Sequence, residues 1–96
     1  MSGAQFARSA KSVAADAKIL SSEVSAVINK IASDIRYATS LHDAIDQNDR
    51  KTVIALLKRG GIKRCRIDAL DLFPGNLKVK LTVDFKRMRF SIEVET

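Results

Sequence analysis

Apolar residues recur at spacings of four and three from Phe6 onward: Phe6, Ala10, Val13, Ala17, Leu20, Val24, Val27 and Ile31, then Asp34, then Ala38. A second stripe of Ala7, Ala14, Ser21, Ile28 and Ile35 widens the face. Alternation at period two is absent, so the segment reads as helical. In heptad terms the first stripe fills a and d for about four repeats, a coiled-coil pattern with Asp34 as its one charged intruder. One helix over residues 4–38 would run about 50 Å at 1.5 Å per residue, against a radius of gyration of about 12–13 Å for a compact chain of this length. Such a helix must break, protrude or pair with another chain. Ser21-Ser22-Glu23 offers a break, because Ser caps a new helix and Glu suits its first turn. The pattern predicts helices over about 4–20 and 22–38.

Ser40, with Asp43 three residues on, reads as the next helix start. Leu41, Ala44 and Ile45 give a short helix over about 41–47 its apolar side. Gln47-Asn48-Asp49 is a turn, with Asp49 capping a helix over about 50–59 that buries Val53, Ile54, Leu56 and Leu57 and stops at Gly60-Gly61. Thr39-Ser40-Leu41-His42, Ala44, Val53, Leu56-Leu57 and Gly60-Gly61 together resemble the helix-turn-helix of an ankyrin repeat. Ser40 stands where that pattern has Pro and Asn48 where it has Gly, and no second copy of the unit follows. The resemblance implies two short antiparallel helices, with His42 in a structural position at the start of the first.

After the glycines the period becomes two. Cys65, Ile67 and Ala69 alternate with Arg64, Arg66 and Asp68, a first strand over about 63–69. Phe73-Pro74-Gly75-Asn76 suits a type II turn with Gly at positive φ. Strands over about 77–85 and 88–95 fold about Lys86-Arg87. In that register Phe85 faces Met88, Val83 faces Phe90, Leu81 faces Ile92 and Val79 faces Val94. The other face opposes Asp84 to Arg89, Thr82 to Ser91, Lys80 to Glu93 and Lys78 to Glu95. A slip of one residue would turn the apolar set to water. Helices followed by a three-stranded antiparallel meander with one apolar face define an α+β fold, one domain over 1–96, with residues 1–20 expected as a protruding or partner-binding helical arm.

Charge changes the picture in one place. The net +6 arises almost wholly from Lys58, Arg59, Lys63, Arg64 and Arg66, since residues 1–57 carry seven bases against six acids and residues 67–96 five against five. If the first strand neighbours the second, Arg64 and Arg66 are expected near Lys78 and Lys80 as a positive ridge. This segment is the candidate nucleic-acid surface, although no aromatic residue is interleaved for stacking. Catalytic chemistry is not expected: His42 and Cys65 are the only residues of their kinds, and no phosphate loop or metal-ligand spacing accompanies them. Asp43, Asp46 and Asp49 recur every three residues, and Asp43 and Asp49 read as caps. No cofactor or metal is expected. Cys65 reads as a small buried hydrophobe. The longest apolar run, Val53 to Leu57, is far below the roughly 20 residues of a membrane span, and no signal-peptide pattern opens the chain. A reducing, cytoplasmic setting is expected. The expected function is non-enzymatic protein–protein interaction, self-association included, through Phe6, Val13, Leu20, Val24 and Val27. The alternative is nucleic-acid binding through the basic segment.

Overall fold

The computed structural model describes residues 2–76 and 78–95. Helix α1 (Gly3–Ser33) is followed by α2 (Ile35–Asp46), α3 (Arg50–Gly60), and strands β1 (Arg66–Phe73), β2 (Lys78–Phe85) and β3 (Met88–Glu95). The strands form one antiparallel sheet in the order β1-β2-β3. Helices lie on its apolar face, so the α+β class with a C-terminal meander is what the chain adopts.

The α1 boundary differs from expectation. The helix continues through Ser21-Ser22-Glu23 to Ser33 and breaks at Asp34 instead. Leu20, Val24 and Val27 are all buried on one continuous face, and a break at Ser21 would rotate Leu20 away from the other two. Ser21 Oγ turns back to donate to the Lys18 carbonyl, and Glu23 sends its carboxylate to another part of the chain. Asp34, the charge that interrupted the heptad stripe, is the joint. Its backbone is extended (φ −122°), and its Oδ1 accepts from the N–H groups of Arg36 and Tyr37, capping α2. Lys30 Nζ sits 3.1 Å from the other oxygen. Thr39, Ser40 and His42 therefore lie inside α2 rather than at a helix start.

Helices α2 and α3 are antiparallel, joined by Gln47-Asn48-Asp49. Asn48 takes the left-handed conformation (φ 54°) that Asn tolerates, and Asp49 accepts from the Thr52 N–H as the cap of α3. The Tyr37 hydroxyl donates to the Leu56 carbonyl at 2.6 Å, tying the start of α2 to the end of α3. Helix α3 ends at Gly61 (φ 148°), where a Cβ would come within 2.8 Å of the Ala26 methyl on α1. Glycine is required there by both conformation and space.

The β2–β3 register is the one expected, pair by pair from Phe85↔Met88 to Lys78↔Glu95. Leu77, placed at the start of that strand by the sequence, lies outside the described residues. Lys86 takes φ 57° in the two-residue turn. The other strand differs. β1 covers 66–73 rather than 63–69, and a bulge at Asp68 separates Ile67↔Val83 from Ala69↔Thr82. The extra residue shifts the alternation by one, so Leu70 and Leu72 face inward against Leu81 and Val79, and Ala69 faces out. Pro74–Asn76 is a 3₁₀ turn, whose residues keep negative φ, in place of a type II turn. The core joins Val24 and Val27 of α1, Leu41 and Ile45 of α2, Val53 and Leu57 of α3, and Leu70, Val79, Leu81 and Val83 of the sheet.

Candidate interaction surface

Three α1 residues enter the core, and all lie in its second half: Leu20, Val24 and Val27. The N-terminal half projects past the hairpin turn, which stretches the molecule to 53 Å against 23 and 20 Å in its other dimensions and raises its radius of gyration to 15.6 Å. Ser2 starts the arm as a complete capping box with Gln5, which keeps the first turn wound without tertiary support. Along the arm Phe6 is 67% and Val13 48% exposed. Its root is held by Asp16, 3.3 Å from Lys86 Nζ in the hairpin turn.

The five residues expected to bind a partner are thus divided. Phe6 and Val13 lie on the free arm, while Leu20, Val24 and Val27 are core residues of the chain itself. Two large apolar side chains that the sequence reading did not single out are open to water near them: Ile28 on α1 (42%) and Phe90 on β3 (47%). They border a trench of about 720 Å³ between α1 and β3, walled by Ala17, Ser21, Val24 and Ser25 on one side and by Met88, Phe90 and Ile92 on the other. Beyond Ile92 a second hollow of about 490 Å³ lies among Ile31, Ala38, Leu41, Val79 and Val94, with His42 and Glu95 at its rim. The helices thus cover β1 and β2 more fully than β3. Nothing in the one-dimensional pattern separates β3 from β2, because both alternate equally well. Only the position of α1 over the sheet distinguishes them.

The fold gives the basic segment three local settings. Lys58 and Arg59 occupy the last turn of α3, where cations suit the helix dipole. Lys63, Arg64 and Cys65 form a loop whose three consecutive N–H groups converge on the Glu23 carboxylate: Lys63 N at 2.8 Å, Arg64 N at 2.9 and 3.0 Å, and Cys65 N at 3.0 Å. Those amides are thereby withdrawn from any ladder, which is why β1 starts at Arg66. Desolvation works against the Glu23 charge, and the bonds from Cys65, Arg64 and Lys63 outweigh it, so the carboxyl titrates below its ordinary range. The ridge expected with Lys78 and Lys80 does not form. The antiparallel register opposes Arg66 to Asp84 and Lys80 to Asp71, and Arg66 holds Asp84 through two bonds of 3.1 and 2.7 Å. Arg64 lies over the Phe85 ring at 5.5 Å.

Cys65 is buried, and desolvation followed by the adjacent Glu23 charge pushes its thiol up to about 11. Asp49 is a cap as expected, whereas Asp43 is not: it lies within α2 with its carboxylate 3.3 Å from its neighbour His42 Nδ1. Among the described residues no three His, Cys, Asp or Glu side chains gather as metal ligands, and no helix is long and apolar enough to cross a membrane. No protein-family model, curated protein or solved structure matches the chain. The residues of the ankyrin-like spacing lie in the α2–α3 hairpin.

Proposed function

We propose that this protein is a non-enzymatic assembly module that engages a protein partner through the N-terminal arm of α1, with the sheet and α2–α3 as its mount. The observation that carries this reading is the exposed stripe of Phe6 and Val13 on a helical half-length that contributes no residue to the core. Fully burying such side chains contributes about 1.5–3 kcal/mol each, enough for two of them to dominate a small interface. The capping box and the Asp16–Lys86 contact support the same reading, since both hold the arm helical and aimed before any partner arrives.

The test compares the full chain with its Phe6→Glu/Val13→Glu variant by sedimentation across a concentration series and by affinity capture from the source cells. The reading requires an association that the variant loses while keeping the wild-type melting temperature. Equal behaviour of the two proteins in both assays refutes it.

A further inference from the structure

The free edge of the sheet carries a sequence that is complementary to itself when reversed. Centred on Ser91, the order is Arg87, Met88, Arg89, Phe90, Ser91, Ile92, Glu93, Val94, Glu95. Basic residues on one side of the centre are matched by acidic residues at equal distances on the other, and apolar residues by apolar ones. We infer that β3 pairs antiparallel with β3 of a second copy of this chain across a two-fold axis at Ser91, joining two three-stranded sheets into one of six strands. This goes beyond the assembly reading above, and the strand pairing itself does not depend on the arm.

Backbone geometry permits the pairing. Residues flanking a two-residue hairpin turn exchange both backbone bonds, and exchanging pairs alternate along the ladder. Phe85↔Met88 flanks the turn, so Met88, Phe90, Ile92 and Val94 bond to β2. The N–H and C=O groups of Arg89, Ser91 and Glu93 then point out of the sheet. With the axis at Ser91, Arg89 meets Glu93 of the second copy, Ser91 meets its counterpart and Glu93 meets Arg89, giving about six new bonds. The opposite edge is unsuited to the same use, because the bulge at Asp68 interrupts β1.

Charge selects both partner and register. On the polar face each chain already opposes Arg66, Asp84 and Arg89 in one row and Asp71, Lys80 and Glu93 in another. The two-fold joins the first row of one copy to the second row of the other, so the sign alternates across all six strands. Moving the axis to Arg89 or Glu93 would set like charges against each other. Glu93 is in no ion pair among the described residues, and Arg89 reaches only Asp68, at 3.4 Å. Charges on an edge strand ordinarily deter pairing. Here their reversal about Ser91 makes a second copy the fitting neighbour.

The apolar face agrees. Phe90 would meet Ile92 of the second copy and Met88 its Val94, covering the exposed Phe90 ring. Helix α1 runs alongside β3 in the same direction, from Asp16 beside Lys86 to Ile31 beside Val94. The axis therefore sets the two α1 helices antiparallel, with Ala17, Ser21, Ser25 and Ile28 turned toward the trench between them.

The test is sedimentation equilibrium of the full chain from micromolar to millimolar concentration, with circular dichroism to verify folding. Wild type is expected to dimerise, and Arg89→Glu and Glu93→Arg each to dimerise at least about tenfold more weakly, because each alone opposes like charges. An equimolar mixture of the two variants is expected to recover the dimer, since every outward pair is again of opposite sign. A wild type that stays monomeric, variants that dimerise like wild type, or folded variants whose mixture does not recover would each overturn the inference. If a variant fails to fold, hydrogen exchange on wild type decides: protection at the Arg89, Ser91 and Glu93 amides must rise with protein concentration, and fast exchange at all concentrations overturns the pairing. If Phe6→Glu/Val13→Glu dissociates the assembly and Glu93→Arg does not, the strand pairing falls and the arm reading stands. The converse leaves the strand pairing standing alone.

Discussion

Replacing Glu23 by Ala removes the only side-chain acceptor, among the described residues, of three consecutive backbone amides about forty residues away in sequence. The Lys63 and Arg64 amides are at the surface, so water takes over there and each bond lost costs about 0.5–1 kcal/mol. The Cys65 amide is partly buried, and leaving such a donor without a partner costs about 1–3 kcal/mol. The total, about 2–5 kcal/mol, corresponds to a fall in melting temperature of at least about 10 °C for a chain of this size. Glu23→Gln keeps one acceptor oxygen and loses the charge, so its cost is smaller, about 1–2 kcal/mol. Because the folded carboxyl titrates below its ordinary value, the ionised form is the one the fold favours. Its contribution is complete above that value and is lost as pH falls through the lowered folded value. The gap between wild type and Glu23→Gln must therefore be constant at neutral pH and close in acid. Thermal melts at several pH values measure it, and amide exchange at residues 63–65 locates it. A Glu23→Ala protein within 0.5 kcal/mol of wild type, or a gap that widens in acid, would refute the reasoning.

Tyr37→Phe removes the hydroxyl's bond to the Leu56 carbonyl, which keeps its place in the α3 ladder, and should lower stability by about 0.5–1.5 kcal/mol in denaturant unfolding, with no change in helix content. Asp34→Ala removes the cap at the α1–α2 joint and should lower the melting temperature, whereas Asp34→Asn should retain most of it. Cys65 should resist thiol reagents at neutral pH until the chain is unfolded by denaturant, because it is buried and its thiol lies near 11. Rapid labelling of the native protein would contradict that placement.

The hairpin was legible in the sequence because side-chain alternation has period two: one register satisfies every position from Val79 to Val94, and any odd slip fails everywhere at once. Helical periodicity is more forgiving. A stripe at spacings of three and four cannot distinguish one helix from two that share its phase, so it did not reveal that the break falls at Asp34 and not at Ser21. What separated them was tertiary: Leu20 is needed in the core, and Glu23 is needed at the loop 63–65. The start of β1 and its bulge were hidden for the same reason, since both answer to partners more than a dozen residues away. A count of apolar surface against sheet area pointed to surplus apolar residues before residue 20, and Phe6 and Val13 are exposed. The open flank beside Phe90 was not, because it depends on where α1 crosses the sheet.

The joint at Asp34 and the clasp at Glu23 both act on the second half of α1, and before Asp16 the helix supplies no buried residue to the core. Substitutions at Phe6 or Val13 leave the packing of the buried core unchanged. Any restraint that a set of relatives displays at Phe6 or Val13 would consequently be a record of what the arm touches, uncontaminated by the needs of the interior.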